Sequence, residues 1–128
     1  MTDAQFSREL LDAAAREREV QLTTSGRRTG KPHRTVMWLS TDGQRLFIRS
    51  GGGLGRDWPR NLLASHEGVL HVAGRDVPVR ARLVSSEEAR AVTDLIVRKY
   101  APAIQRPPDG APPTPGETAT FELTPAQP

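Results

Sequence analysis

Cysteine is absent from the 128-residue chain, so neither a disulfide framework nor a thiolate metal site is open to it. Lysine is almost absent as well: Lys31 and Lys99 stand beside sixteen arginines. Genomic base composition produces such a bias as readily as function does, so the choice of Arg over Lys carries no weight by itself. Aromatics are scarce, with three Phe, two Trp and one Tyr. That removes the repeated stacking platforms a nucleic-acid binder uses, and no recognition-helix motif replaces them. No apolar run approaches the ~20 residues that a bilayer-spanning helix requires. Asp3, Arg8 and Glu9 interrupt the stretch where a signal peptide would be apolar. The expectation is a soluble, cytoplasmic protein with no membrane span and no nucleic-acid partner.

Catalytic groups are equally sparse. His33, His66 and His71 are too few and too poorly spaced for a metal site, and no metal is expected. Neither a Cys nucleophile nor a Gly-x-Ser-x-Gly elbow is present, which leaves covalent catalysis without support. Glu87 and Glu88 diverge by about 100° on a helix and suit its positive N-terminus better than paired acid–base work. The glycines at 51–55 match neither nucleotide signature, because the Gly-Lys-Ser/Thr ending is missing and Trp58 stands where a third Gly belongs.

What is present is a localised positive charge. Residues 26–60 hold eight Lys/Arg against two Asp/Glu, a net of +6, whereas residues 1–25 sum to −2 and residues 61–128 to −1. A field concentrated in this way gathers an anionic partner at one place. Two segments carry it: Gly26-Arg27-Arg28-Thr29-Gly30-Lys31-Pro32-His33-Arg34-Thr35, and Ser50-Gly51-Gly52-Gly53-Leu54-Gly55-Arg56-Asp57-Trp58-Pro59-Arg60-Asn61-Leu62. They read as two halves of one anion site. The arginines pair with phosphate or carboxylate oxygens, and glycines 51–53 admit a ligand close to the backbone. A helix starting near Asp57 adds N–H donors if its N-terminus faces the ligand.

The remaining pattern predicts one domain over residues 1–128. An amphipathic helix reaches from the N-terminus to residue 18, with Thr2 and Gln5 offering a capping box and Phe6, Leu10, Leu11 and Ala14 an apolar stripe. Val20 to Ser25 alternates as a half-buried strand. Thr35–Ser40 and Arg45–Ser50 form a hairpin across Asp42-Gly43, and Asp57 caps a short helix that runs to about Ala64, with Pro59 tolerated in its first turn. Val69–Ala73 and Asp76–Val84 form a second hairpin across Gly74-Arg75, in which Pro78 implies a free edge. Ser85 and Glu88 cap a helix that runs to Tyr100. Residues 101–116, with six prolines, form an extended loop, and a last strand spans Ala119–Leu123. Six or so strands with three marginal helices give a mainly antiparallel α+β domain closed as a small barrel.

In order and spacing, residues 17–84 resemble the deazaflavin-dependent nitroreductase family. The match rests on a strand, Thr23-Thr24-Ser25-Gly26-Arg27-Arg28-Thr29-Gly30-Lys31-Pro32, a hairpin, Ser50-Gly51-Gly52-Gly53, and Asp57-Trp58-x-Arg60-Asn61-Leu62. That family lies within the flavin/deazaflavin oxidoreductases that share the split β-barrel, the FMN-binding and pyridoxamine-phosphate-oxidase-like fold. The resemblance implies that coenzyme F420 lies in a groove of the barrel. Arg27, Arg28, Lys31 and Arg34 then correspond to the loop meeting its phosphate and oligoglutamate tail, and Ser50, Gly51 and Gly52 to the stretch beside ring and phosphate. Trp58 and Asn61 correspond to the helix that closes the site. His33 stands where that family often has arginine.

A cofactor that carries the reaction fits a chain without evident proton-transfer or nucleophilic machinery. The expected activity is hydride transfer from reduced deazaflavin to a small planar acceptor, a quinone or nitro compound. Trp38, Trp58 and Tyr100 are the acceptor-pocket candidates, although at strand spacing Trp38 and Phe47 serve a core equally well. The residues themselves leave FMN open as the cofactor, and a non-catalytic cofactor-binding protein as the class. They equally leave open a homodimer, which apolar barrel edges would favour.

Overall fold

The protein is described from a computed structural model over residues 5–126. Its elements in chain order are α1 (Arg8–Arg16), β1 (Val20–Ser25), β2 (Pro32–Met37), β3 (Leu39–Thr41), β4 (Leu46–Arg49), α2 (Asp57–Ser65), β5 (Glu67–Val72), β6 (Arg75–Leu83), α3 (Ser86–Tyr100), α4 (Pro115–Thr118) and β7 (Thr120–Pro125). The strands form one seven-stranded sheet in the order β2-β1-β5-β6-β7-β4-β3, antiparallel at every pairing.

The sheet's two edge strands, β2 and β3, are neighbours in the chain, joined by Trp38 alone. A link of one residue reaches only about 7 Å, so the sheet must curl until its edges meet. The result is a half-barrel of the split-barrel kind, with Trp38 at the seam. Sequence alternation anticipates a single strand over Thr35–Ser40, and the structure corrects this: Thr35–Met37 pair with β1, while Leu39–Thr41 pair with β4.

The barrel interior is aliphatic. Leu22, Leu39, Leu46, Ile48, Leu62, Leu70, Val79, Phe121 and Leu123 are all essentially inaccessible there, each worth about 1.5–3 kcal/mol for the leucine-sized side chains. β4 is buried on both faces: Leu46 and Ile48 point to this core, and Phe47 to a smaller cluster with Val92, Ile96 and Tyr100 beneath α3. That double burial is why Leu46 to Ile48 is an unbroken apolar run.

The helix boundaries differ from the sequence reading at three places. α1 begins at Arg8, because the Ser7 side chain accepts from Leu10 N at 3.2 Å; Thr2, expected to cap it, lies outside the described residues. Asp57 is the first residue of α2, and Arg56, with no capping side-chain bond, is its N-cap. The proline-rich segment is irregular only as far as Thr114, which forms a capping box with Glu117 and starts the short α4. Ser85 caps α3 as its spacing implies, accepting from Glu88 N. Pro78 sits on the free stretch of β6: β7 joins that strand only from Val79 onward, and Ala126 N reaches the Pro78 carbonyl.

Candidate functional site

A mainly apolar concavity of about 410 Å³ opens at the seam. Thr35, Val36, Met37, Trp38 and Ser40 line it from the two edges, and Phe47 to Gly52 from β4 and the glycine loop. Arg56 and Trp58 lie at the start of α2, and Val92, Ile96 and Ile104 complete the wall. Its volume falls in the range of small-molecule and cofactor sites, about 300–1,000 Å³.

Each wall has a local cause. Trp38 is about a third exposed and stacks on the Tyr100 ring with centroids 4.0 Å apart and planes 3° from parallel. Tyr100 itself is buried: its hydroxyl donates to the Arg18 carbonyl at 2.7 Å and accepts from Leu39 N at 3.2 Å. Tyr100 therefore stands outside the lining and acts as a backing for Trp38. Beside it, Lys99 Nζ donates to the carbonyls of Ala14 and Leu39 at 2.7 and 2.6 Å, and burial, with Arg18 nearby, brings its pKa down to about 8. Trp58 is mostly buried, tilted against Phe121 at 6.0 Å, and shows the cavity only part of its ring.

The glycine loop turns at Ser50–Gly53, where Gly53 N donates to the Ser50 carbonyl at 2.9 Å. Gly53 has φ +85°, a region L side chains avoid. At Gly51 a Cβ would meet nothing within 4 Å, so the backbone is open to the cavity there; the Arg56 side chain lies over Gly52. Ser50 is 2% exposed, and its Oγ has no hydrogen-bond partner among the described residues. Buried polar atoms are paired in the great majority of cases, so this orphan hydroxyl, in a residue of the cavity wall, is an exception.

Sequence reasoning missed Arg49, which lines the same cavity. It ends an apolar strand run, and nothing in its spacing distinguishes it from a surface arginine. Its Nε donates to Thr120 Oγ1 at 2.8 Å and its Nη2 to the Ala89 carbonyl at 2.9 Å. Burial lowers its pKa to about 10; Glu117 opposes this and Arg90 adds to it. Glu117 is itself held by Arg90 through contacts of 2.6 and 2.9 Å and by the Thr93 hydroxyl at 2.7 Å. Arg90, with Thr114 and Thr93, brings the Glu117 carboxyl down to about 2 against the opposing effect of burial.

The first basic loop lies elsewhere. Gly26, Arg27, Arg28, Thr29, His33, Asp57 and Asn61 line a separate, more polar concavity of about 230 Å³. Asn61 is buried: its Oδ1 accepts from Arg27 N at 3.1 Å and Arg27 Nη1 at 3.0 Å, and its Nδ2 donates to Thr24 Oγ1 at 3.1 Å. It fastens α2 to β1 and to the loop. Arg27 also lies 3.5 Å from Asp57. Arg34 bonds Gln21 and lines a third concavity, with His71 and Asp76. Lys31 lines none of these, and among the described residues neither Arg28 nor Lys31 forms an ion pair. The structure thus gathers Ser50, Gly51, Gly52, Trp38 and Trp58 in one cavity and Arg27, Arg28 and Asn61 in another, with α2 between them.

Among the described residues no His, Cys, Asp or Glu cluster is arranged to hold a metal, and no helix is long and apolar enough to cross a membrane. A family model described as "Uncharacterized protein conserved in bacteria (DUF2255)" matches residues 10–119. No curated protein matches the sequence. Among solved structures, one described as a domain-swapped dimer is similar with a TM-score of 0.63 at 20% identity, covering 91% of each chain. An F420-H2 dependent reductase (FDR-A) is similar with a TM-score of 0.62 at 21% identity, over 84% of this chain and 94% of that one. HutZ, the heme storage protein from Vibrio cholerae, is similar with a TM-score of 0.65 at 18% identity, over 93% and 89%. At such identities the likeness is one of fold, and proteins named for different cofactors share it.

Proposed function

The chain belongs to the DUF2255 family, and from its site we propose that it is an oxidoreductase that binds coenzyme F420 and passes hydride from the reduced form to a small planar acceptor, a quinone or nitro compound. The observation that carries this reading is the seam cavity. Its indole wall is flat and firmly backed, its glycine loop is bare at Gly51, and its buried Ser50 hydroxyl lacks a partner. These features fit a tricyclic ring with polar atoms on one edge. A fold shared with an F420-H2 dependent reductase supports the choice of cofactor.

When bound, reduced deazaflavin would supply the hydride. The chain's own residues bind, orient and exclude water. Trp38 offers a stacking face that Tyr100 holds in place. Val92, Ile96 and Ile104 keep the opposite wall apolar. Arg28 and Lys31, exposed on the neighbouring loop, attract a polyanionic tail leaving the cavity across α2. Holding two reactants in register is the protein's main contribution to such a reaction. We further propose that the protein works as a homodimer in the cytoplasm; the domain-swapped dimer of the same fold supports the pairing.

Titration of the purified protein at low salt with F420 and FMN side by side, followed by fluorescence, tests this reading. Saturable F420 binding with weaker FMN binding is expected. FMN that survives desalting on the protein, with no response to F420, would reassign the cofactor, and response to neither would overturn the reading.

A further inference from the structure

The apolar cavity holds an arrangement that a site for a neutral ring does not need. Arg49 brings a guanidinium into its wall, where the two bonded nitrogens face neutral acceptors, Thr120 Oγ1 and the Ala89 carbonyl. Its third nitrogen, Nη1, makes no hydrogen bond among the described residues. The nearby carboxylate, Glu117, is fully engaged: two contacts to Arg90, one from Thr93 and one from Thr114 N occupy it. No ion pair joins Arg49 to any described carboxylate. Two guanidiniums therefore share one carboxylate, leaving a net positive charge in a half-buried wall. Ser50, the next residue, lines the same cavity, and its buried hydroxyl has no partner among the described residues.

A half-buried cation with no carboxylate of its own is favoured where a ligand supplies the missing charge. We propose that Arg49 and Ser50 form an anion subsite inside the seam cavity, so that the cavity selects planar aromatic ligands carrying a negative charge on one edge over their neutral isosteres. The charge-assisted bond from Arg49 supplies most of the selection. Ser50 fixes the position of the accepting oxygen. The aromatic part of the ligand lies against Trp38 and beneath Val92, Ile96 and Ile104. Arg49 keeps its proton at neutral pH, since its lowered pKa of about 10 is still well above 7.

The inference rests on reading this cavity as a ring site, but it is independent of which ring is native. Two probes separate the questions: 2-naphthoate and its neutral isostere 2-naphthamide, titrated against the full chain by calorimetry, with F420 titrated in parallel. The wild-type protein is expected to bind naphthoate at least about tenfold more tightly than the amide, as a charge-assisted bond in a half-buried wall implies. Arg49→Met should abolish that preference and leave amide binding nearly unchanged. Ser50→Ala, a milder change that keeps the fold if Arg49→Met does not, should weaken naphthoate roughly threefold. Arg80→Ala, at an exposed ion pair with Glu67, should alter neither probe. Equal binding of the two probes, no binding of naphthoate, or a preference surviving both cavity variants would overturn the proposal. Selective naphthoate binding without any F420 binding would leave the subsite standing and remove the cofactor assignment alone.

Discussion

The two glycine-and-arginine segments carry similar residues and hold them in opposite ways. In the loop after β1 the charges lie on the surface, and part of them is committed within the fold: Arg27 to Asn61 and Asp57, Arg34 to Gln21. In the segment after β4 Arg56 and Arg60 are exposed as well, but the groups at its β4 end, Arg49 and Ser50, are half-buried and buried. One of them, the Ser50 hydroxyl, is without a partner, and Arg49 lacks a carboxylate of its own. Charge density along a sequence therefore measures long-range attraction, whereas the availability of a group in a dry wall decides what is held. The first loop is suited to steering an anion, and the second to gripping one.

The largest effect is expected where the second region is supported. Glu117→Gln removes the carboxylate that balances Arg90 and Arg49, and breaking a buried pair from one side costs about 3 kcal/mol or more; thermal or urea unfolding measures it. The same group sets an acid limit. Its pKa falls from 4.5 in the unfolded chain to about 2 in the folded one, so its contribution is complete above pH 4.5 and disappears as the pH drops toward 2. Glu117→Gln should flatten the pH dependence of stability in that window, and an unchanged slope would show that the pair contributes little.

Next in size is the anchor of the first region. Asn61→Ala deletes bonds to Arg27 N, Arg27 Nη1 and Thr24 Oγ1 and should cost about 2 kcal/mol of stability, with faster amide exchange over 26–31 as the local sign. Gly51→Leu sharpens the comparison from the other side. Gly51 lines the cavity and a Cβ there meets nothing within 4 Å, so ring binding should fall at least about tenfold, roughly 1.4 kcal/mol, at nearly unchanged stability. The smallest effect belongs to Arg28→Ala with Lys31→Ala. Exposed charges are screened, so F420 affinity should drop only a few-fold at low salt and almost not at all at physiological salt, while a tail-less deazaflavin should bind as before.

Local rules made much of the fold legible. The alternation of Val20–Ser25, the Asp-Gly turn at 42–43 and the Ser85–Glu88 cap all depend on residues close in sequence, and the structure has each of them. What could not be read locally was decided by tertiary closure. The run Thr35–Ser40 breaks at Trp38 only because its halves belong to opposite edges of a curled sheet. The same closure places the site, because the cavity exists where those edges meet. Tyr100, in sequence an isolated polar aromatic at a helix end, is drawn inward by hydrogen bonds to Arg18, in the link between α1 and β1, and to Leu39 of β3. Arg49 was invisible for the same reason: its burial depends on α3 and α4, which follow it by 37 or more positions.

The chain has only two tryptophans, Trp38 and Trp58, and both line the seam cavity, so their indole N–H signals are a direct reporter of what enters it. Recording these two signals and the backbone amides during an F420 titration tests whether the second loop, rather than the first, holds the ring. Saturable shifts at both indoles and at Ser50–Gly52, with salt-sensitive shifts at Arg28 and Lys31, are the expected result. Shifts confined to the 26–34 loop, with both indoles unmoved at saturation, would contradict it.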